Sequence, residues 1–273
     1  MITLSKEFAF AFGGFISYHG FMFLGKRIKS AITVFSLVAL LVLAISPVFA
    51  LEPPKGLADR GPLTKMTFIH YKRAFAKPPW AGGGGSTATK CYSFLAKGAK
   101  WKTAENYVIN PTNSYGLGDA FVENAVAGSA SVWEDASSSN IFGSASLDTS
   151  VTYNESSSDE VNTLSFGSYP EANVIAVTNV WGYFGGPPQI RELVEWDMLL
   201  NTGSSWSWGD ALVDPSLMDV ENIVAHEIGH AAGMGHPDST CTLETMYAYS
   251  SEGEIIKRDL HDGDVQGILE LYK

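Results

Sequence analysis

Apolar positions fall into two kinds of stretch along this chain. Residues Ala31 to Ala50 are apolar almost without a break and follow Lys26, Arg27 and Lys29. From about residue 100 the apolar runs are short and periodic. Tyr107-Val108-Ile109-Asn110-Pro111 predicts a strand ended by proline. Asp119 to Asp135 sets Phe121, Ala125, Val132 and Trp133 at helical spacing and predicts an amphipathic helix. Phe142 to Tyr153, Val161 to Phe166, Val174 to Trp181 and Leu193 to Asn201 predict four more strands, divided by Ser/Asn/Gly/Pro-rich turns. Ser137-Ser138-Ser139 and Ser156-Ser157-Ser158 read as loops inside one domain, and no internal repeat stands out. The roughly 170 residues beyond position 100 suffice for a single core. The pattern is that of one α/β (α+β) domain, with Trp206 and Trp208 expected in its core.

The early apolar run bears on compartment. A basic stretch, an apolar stretch and Pro47-Val48-Phe49-Ala50 with small residues at the cleavage positions make a secretory signal. Met22 would start such a signal more neatly than Met1. About 20 apolar residues also span a bilayer, so a membrane anchor is the rival reading. Either one places the rest outside the cytoplasm, secreted or anchored facing outward; a membrane is a partner only if the segment stays uncleaved. The expected division is 1–50 signal or anchor, 51–90 basic pro-segment or linker, and 91–273 the main folded domain.

Charge follows the same division. Residues 51–102 hold ten Lys/Arg and two Asp/Glu, whereas residues 103–273 hold four and twenty-six. An acidic surface argues against nucleic-acid binding. Two readings of the basic stretch from Lys55 to Lys77 stand side by side. It lies on the acidic domain as a pro-segment, held partly by long-range attraction with Gly82-Gly83-Gly84-Gly85-Ser86 as a hinge, or it is a plain spacer.

The chemistry is concentrated in His226-Glu227-Ile228-Gly229-His230-Ala231-Ala232-Gly233-Met234-Gly235-His236, the pattern H-E-x-x-H-x-x-G-x-x-H. Five such specified positions arise by chance in a chain of this length with probability on the order of 10⁻⁵. His226 and His230 stand at i and i+4, one above the other on a helix face. Glu227 is placed to hydrogen-bond a water over the metal without ligating it. Gly233 accepts the left-handed backbone that ends the helix and lets His236 return, with Gly235 expected to keep the chain flexible up to it. Three neutral histidines leave a fourth tetrahedral position open, as in catalytic rather than structural zinc sites.

This segment resembles the zinc signature of the metzincin metallopeptidases, and its surroundings are most similar to the matrixin branch. Asp219 to Ala225 resembles the start of the zinc-binding helix, Leu260 to Tyr272 resembles the last helix, and Thr245-Met246-Tyr247 fits the methionine turn beneath the metal. The resemblance implies a five-stranded mixed twisted sheet with a long active-site helix, a further N-terminal helix and a C-terminal helix. It implies one catalytic Zn2+, ligands His226, His230 and His236, Glu227 as general base and Met246 as the turn residue. Tyr183 to Gln189 carries no ligand set, so no second zinc is carried over and calcium is not expected. By resemblance, Val174 to Trp181 is the antiparallel edge strand, open for an extended substrate to add to or else covered by the Gly185-Gly186-Pro187-Pro188 loop.

Cys91 and Cys241 are an even count in an exported chain, which predicts one disulfide. The rival is a Cys91 thiolate capping the zinc in a latent form. The expected function is that of an exported, monomeric zinc endopeptidase acting on protein or peptide. A non-catalytic binding module on the same scaffold and a zinc amidohydrolase of another substrate are the alternatives.

Overall fold

A computed structural model describes residues 59–73, 90–203 and 205–273. The signal or anchor segment, Lys55, Lys77 and the Gly82–Gly85 run lie outside the described residues. Among the described residues no helix is long and apolar enough to cross a membrane.

The strands expected from the sequence appear as β3 (Glu105–Asn110), β4 (Phe142–Leu147), β5 (Asn162–Gly167), β6 (Val174–Tyr183) and β7 (Glu192–Asn201). β4 stops six residues earlier than its apolar run, because Asp148 accepts from the Ser150 amide (2.8 Å) and turns the chain. The five lie side by side in the order β6-β7-β5-β3-β4. β7, β5, β3 and β4 are mutually parallel, and β6 is antiparallel to β7.

The sheet has seven strands, not five, and both additions lie beyond β6. β1 (Thr64–Lys72) pairs antiparallel with β6, from Thr64 opposite Gly182 to Tyr71 opposite Val174. A two-residue strand, Tyr249–Ser250, runs parallel to β1 on its other side. The expectation that β6 is an open edge, or one covered by the glycine-proline loop, is therefore corrected. The basic stretch supplies the neighbour, because Thr64 to Lys72 alternates side chains and its backbone groups need partners.

Three helices cover one face. α1 (Asp119–Ser137) packs on α2 (Val220–Ala231), with the Trp133 indole donating to Ala225 O (2.9 Å) and the Ser129 hydroxyl to Glu221 O (3.3 Å). α3 (Asp262–Tyr272) closes the domain. Trp133, Trp196, Trp208, Met198 and Ile228 are fully buried between helices and sheet, and Trp206 and Trp208 both lie in this core.

Cys91 and Cys241 form a disulfide, with Cα atoms 5.5 Å apart across a sequence separation of 150. The thiolate-cap reading is thereby set aside. The bridge ties the chain just before the short strand Ser93–Phe94 to the loop after His236.

Candidate active site

The site is built from the start of α2. The Asp219 carboxylate accepts from the Asn222 amide (2.8 Å) and caps the helix. Arg258 donates to Asp219 through Nε (2.9 Å) and to Asp210 through Nη2 (2.7 Å), so the cap is itself held. His226 and His230 then project from successive turns of the helix, both fully buried. Gly233 ends the helix with φ +103°, as the sequence predicts.

Gly235 has a different task from the flexibility expected of it. It pairs with Ser93 in a short antiparallel ladder, and a Cβ there would stand 2.7 Å from Ser93 Oγ. The Ser93 hydroxyl also donates to His236 O (2.7 Å). The return strand is pinned rather than loose, on the side the disulfide staples.

The three imidazoles converge. His236 Nε2 lies 3.1 Å from His226 Nε2 and 3.1 Å from His230 Nε2. His226 Nδ1 is 2.7 Å from Thr245 O, and His230 Nδ1 is 2.9 Å from Met234 O. Carbonyls accept only, so these contacts hold a proton on Nδ1 of His226 and His230 and leave their Nε2 lone pairs facing His236 Nε2. Imidazole nitrogens gathered at this spacing suit a cation: ligands ~2.0–2.1 Å from a tetrahedral zinc stand about 3.3 Å apart. Burial first, and then neighbouring charged groups, holds the rings of His226 and His230 well below the usual histidine range and brings His236 down to about 4. All three are neutral at physiological pH, as ligands must be.

Met246 is fully buried against α2. A Cβ on Gly229 would come within 2.2 Å of Met246 Sδ and 2.5 Å of Trp133 Cζ2. The position between the two helix ligands must therefore be glycine, which the motif does not specify. The methionine turn is held from α3: Asp264 accepts from the Thr245 amide (2.7 Å) and the Met246 amide (3.2 Å). One carboxylate near the end of the chain thus sets the carbonyl that orients His226.

Glu227 is fully buried. Its Oε2 accepts from the Thr178 hydroxyl on β6 (2.6 Å), and its Oε1 lies 3.1 Å from His70 Nδ1 on β1. Burial pushes its pKa up to about 8, against the pull of the Thr178 hydrogen bond and of Lys257. The His70 ring lies 3.9 Å from the His226 ring, and the Phe68 ring stacks on His230 at 4.0 Å, tilted 14°.

Phe68, His70, Thr178 and Asp264 were not singled out from the sequence. For the first two a signal existed: Met66, Phe68 and His70 are spaced by two in Thr64 to Lys72. Groups able to hold a metal number two among the described residues, His226-His230-His236 and His70-His226-Glu227. The first brings three imidazole Nε2 atoms together, whereas in the second the Glu227 carboxylate also accepts from the Thr178 hydroxyl.

A family model described as Matrixin, of peptidase family M10, matches residues 100–273. No curated protein matches the chain.

Proposed function

The chain belongs to the matrixin family of metallopeptidases, and from that premise we propose that it is an exported zinc-dependent endopeptidase with Glu227 as general base. The carrying observation is the approach of His236 Nε2 to 3.1 Å from the Nε2 atoms of both His226 and His230, each imidazole of α2 locked by a backbone carbonyl. His226, His230 and His236 would hold the ion, which supplies the Lewis acid for peptide hydrolysis. Glu227 stands beside it, in a buried setting that raises proton affinity toward neutrality. It takes a proton from the attacking water and returns it to the leaving amine. Asp264 acts through the Thr245 residue whose carbonyl orients His226, and Met246 packs against Gly229 between the two helix ligands. The retained base and complete ligand set favour the enzyme over a binding-only module.

Export rests on the apolar run Ala31 to Ala50 and is supported by the Cys91–Cys241 disulfide, which belongs to an oxidising compartment. Protein or peptide is the substrate, and the protein is a monomer in this reading.

Metal analysis of the secreted full chain should find one zinc, and His230→Ala should remove it. Casein cleavage should stop with chelator and return with zinc. Tightly bound zinc with no chelator-sensitive cleavage, even after the chain is cut between Arg73 and Lys90, would sink the peptidase reading.

A further inference from the structure

One polar side chain interrupts the apolar face that β6 turns toward the helices. Side chains on that face recur at every second residue, and Ala176 and Val180, on either side of Thr178, belong to the core. Met198, opposite Thr178 on β7, is fully buried in the same core, and Phe68, opposite it on β1, packs against that core. Valine has nearly the shape of threonine and would fill this position with no hydroxyl to satisfy. A buried hydroxyl is costly unless it is hydrogen-bonded. Thr178 is fully buried, and its hydroxyl donates to Glu227 Oε2 at 2.6 Å. Glu227 is the partner that makes a hydroxyl tolerable there.

The two ends of this contact differ in freedom. Glu227 carries its carboxylate on a long side chain with many rotamers. Thr178 is β-branched, so its rotamer is restricted. Its backbone is held in mid-strand, with β6 paired to β1 on one side and to β7 on the other. The hydroxyl is thus a fixed point on the sheet that grips one oxygen of a carboxylate borne by a helix. The other oxygen, Oε1, lies 3.1 Å from His70 Nδ1, so the two oxygens have unlike settings. A base that takes a proton from water and gives it to the leaving amine works from a defined position, and a misplacement of about 1 Å costs ~10²-fold in rate.

We propose that Thr178 is a positioning residue for Glu227: its hydroxyl, anchored on β6, fixes Oε2 and so aims Oε1 as the oxygen that exchanges the proton. The zinc signature does not specify it, since Thr178 lies 49 positions before Glu227. This deepens the peptidase reading and rests on it for what Glu227 does, but its first readout needs no turnover.

The test uses the full chain, with Thr178→Val, Thr178→Ser and Thr178→Val/Glu227→Gln beside Glu227→Gln alone. In zinc-free protein with isotope-labelled glutamate carboxyl carbons, the Glu227 resonance is the one that Glu227→Gln removes. Thr178→Val should shift it, and Thr178→Ser should leave it near its parent position. Thr178→Ala removes the hydroxyl without setting a methyl against the carboxylate, and it should shift the resonance as valine does. With zinc, Thr178→Val should lower kcat on casein by about tenfold to a hundredfold while KM and zinc content hold. Thr178→Ser should recover most of that loss. The double variant should be no slower than Glu227→Gln, because a group that acts only through Glu227 has nothing left to position. An unmoved resonance in both Thr178→Val and Thr178→Ala, or a kcat in Thr178→Val within about twofold of the parent, overturns the proposal. So does a loss that serine does not recover, a rise in KM at steady kcat, or additive losses in the double variant. Each of these would mean that methyl packing or a substrate contact carries the effect. A resonance that moves with valine and returns with serine, in a parent that cleaves nothing, keeps the positioning contact and removes the peptidase reading instead.

Discussion

Buried carboxylates occupy both faces of the sheet. Glu227 lies on the helix-covered face, while Glu195 and Asp197 on β7 point the other way, on the side where Leu199 packs with Val174 and Val177. Burial is the first cause of the raised pKa in all three, and Glu227 and Asp197 both reach about 8. Their company differs. Glu227 faces a histidine ring and a hydroxyl, fully buried. Glu195 accepts from the Ser158 hydroxyl (2.5 Å), and Asp197 accepts from the Asn154 amide (3.2 Å), both in the loop after β4. No cation forms an ion pair with Glu195 or Asp197 among the described residues. A perturbed carboxylate is therefore a poor locator of chemistry on its own; the groups aimed at the same point decide it.

The widest separation between the two faces should appear in turnover. Glu227→Gln keeps the size of the side chain and removes the proposed base, so casein cleavage should fall by about 10²- to 10⁴-fold, with zinc content unchanged. Asp197→Asn on the opposite face should leave the rate within about twofold, as expected for a site away from the chemistry. A comparable loss in both variants would show that the far face feeds the cleft, and the contrast would be broken.

A smaller effect tests whether rigidity is also one-sided. The Cys91–Cys241 bridge staples the loop that carries His236, whereas the far-face loop is held by Asx and serine hydrogen bonds such as Ser156 N to Asn154 Oδ1 (3.0 Å). Replacing both cysteines with serine should cost about 2–4 kcal/mol, read as a lower denaturant midpoint, together with weaker zinc retention. Loss of stability with undiminished zinc retention would show that the bridge serves the fold and not the site.

These two regions were unequally legible in the sequence. The three histidines and Glu227 could be read directly because helical spacing places His226, Glu227 and His230, and Gly233 marks the turn that brings His236 back. The five central strands could be read because apolar runs and turn residues bound them locally. β1 was read through its charge, as a basic stretch. Its alternation was visible, but its partner lies over a hundred positions away: the Thr67 hydroxyl donates to Asn179 Oδ1 (2.6 Å) across a separation of 112. Gly229 shows the same limit, since its need for a bare Cα comes from Met246 and Trp133. Nothing in local pattern announces either contact.

The finest test of the comparison is stability against pH. Asp197 has a folded pKa near 8 against an ordinary value of 3.8. A carboxyl whose folded pKa is raised binds more protons folded than unfolded, so its contribution is favourable at low pH and is lost as pH climbs from about 4 toward 8. Asp197→Asn removes that titration and keeps a carbonyl oxygen for the Asn154 amide. The variant should match the parent at pH 4 and exceed it at pH 8 by about 1–3 kcal/mol, less than the full shift implies at ~1.4 kcal/mol per unit, because the site relaxes on ionisation. That gain corresponds to a melting-temperature gap of a few degrees, widening steadily between the two pH values. A gap that stays constant with pH would mean that Asp197 is ionised throughout. The far face would then tolerate charge, and its likeness to Glu227 would be one of position alone.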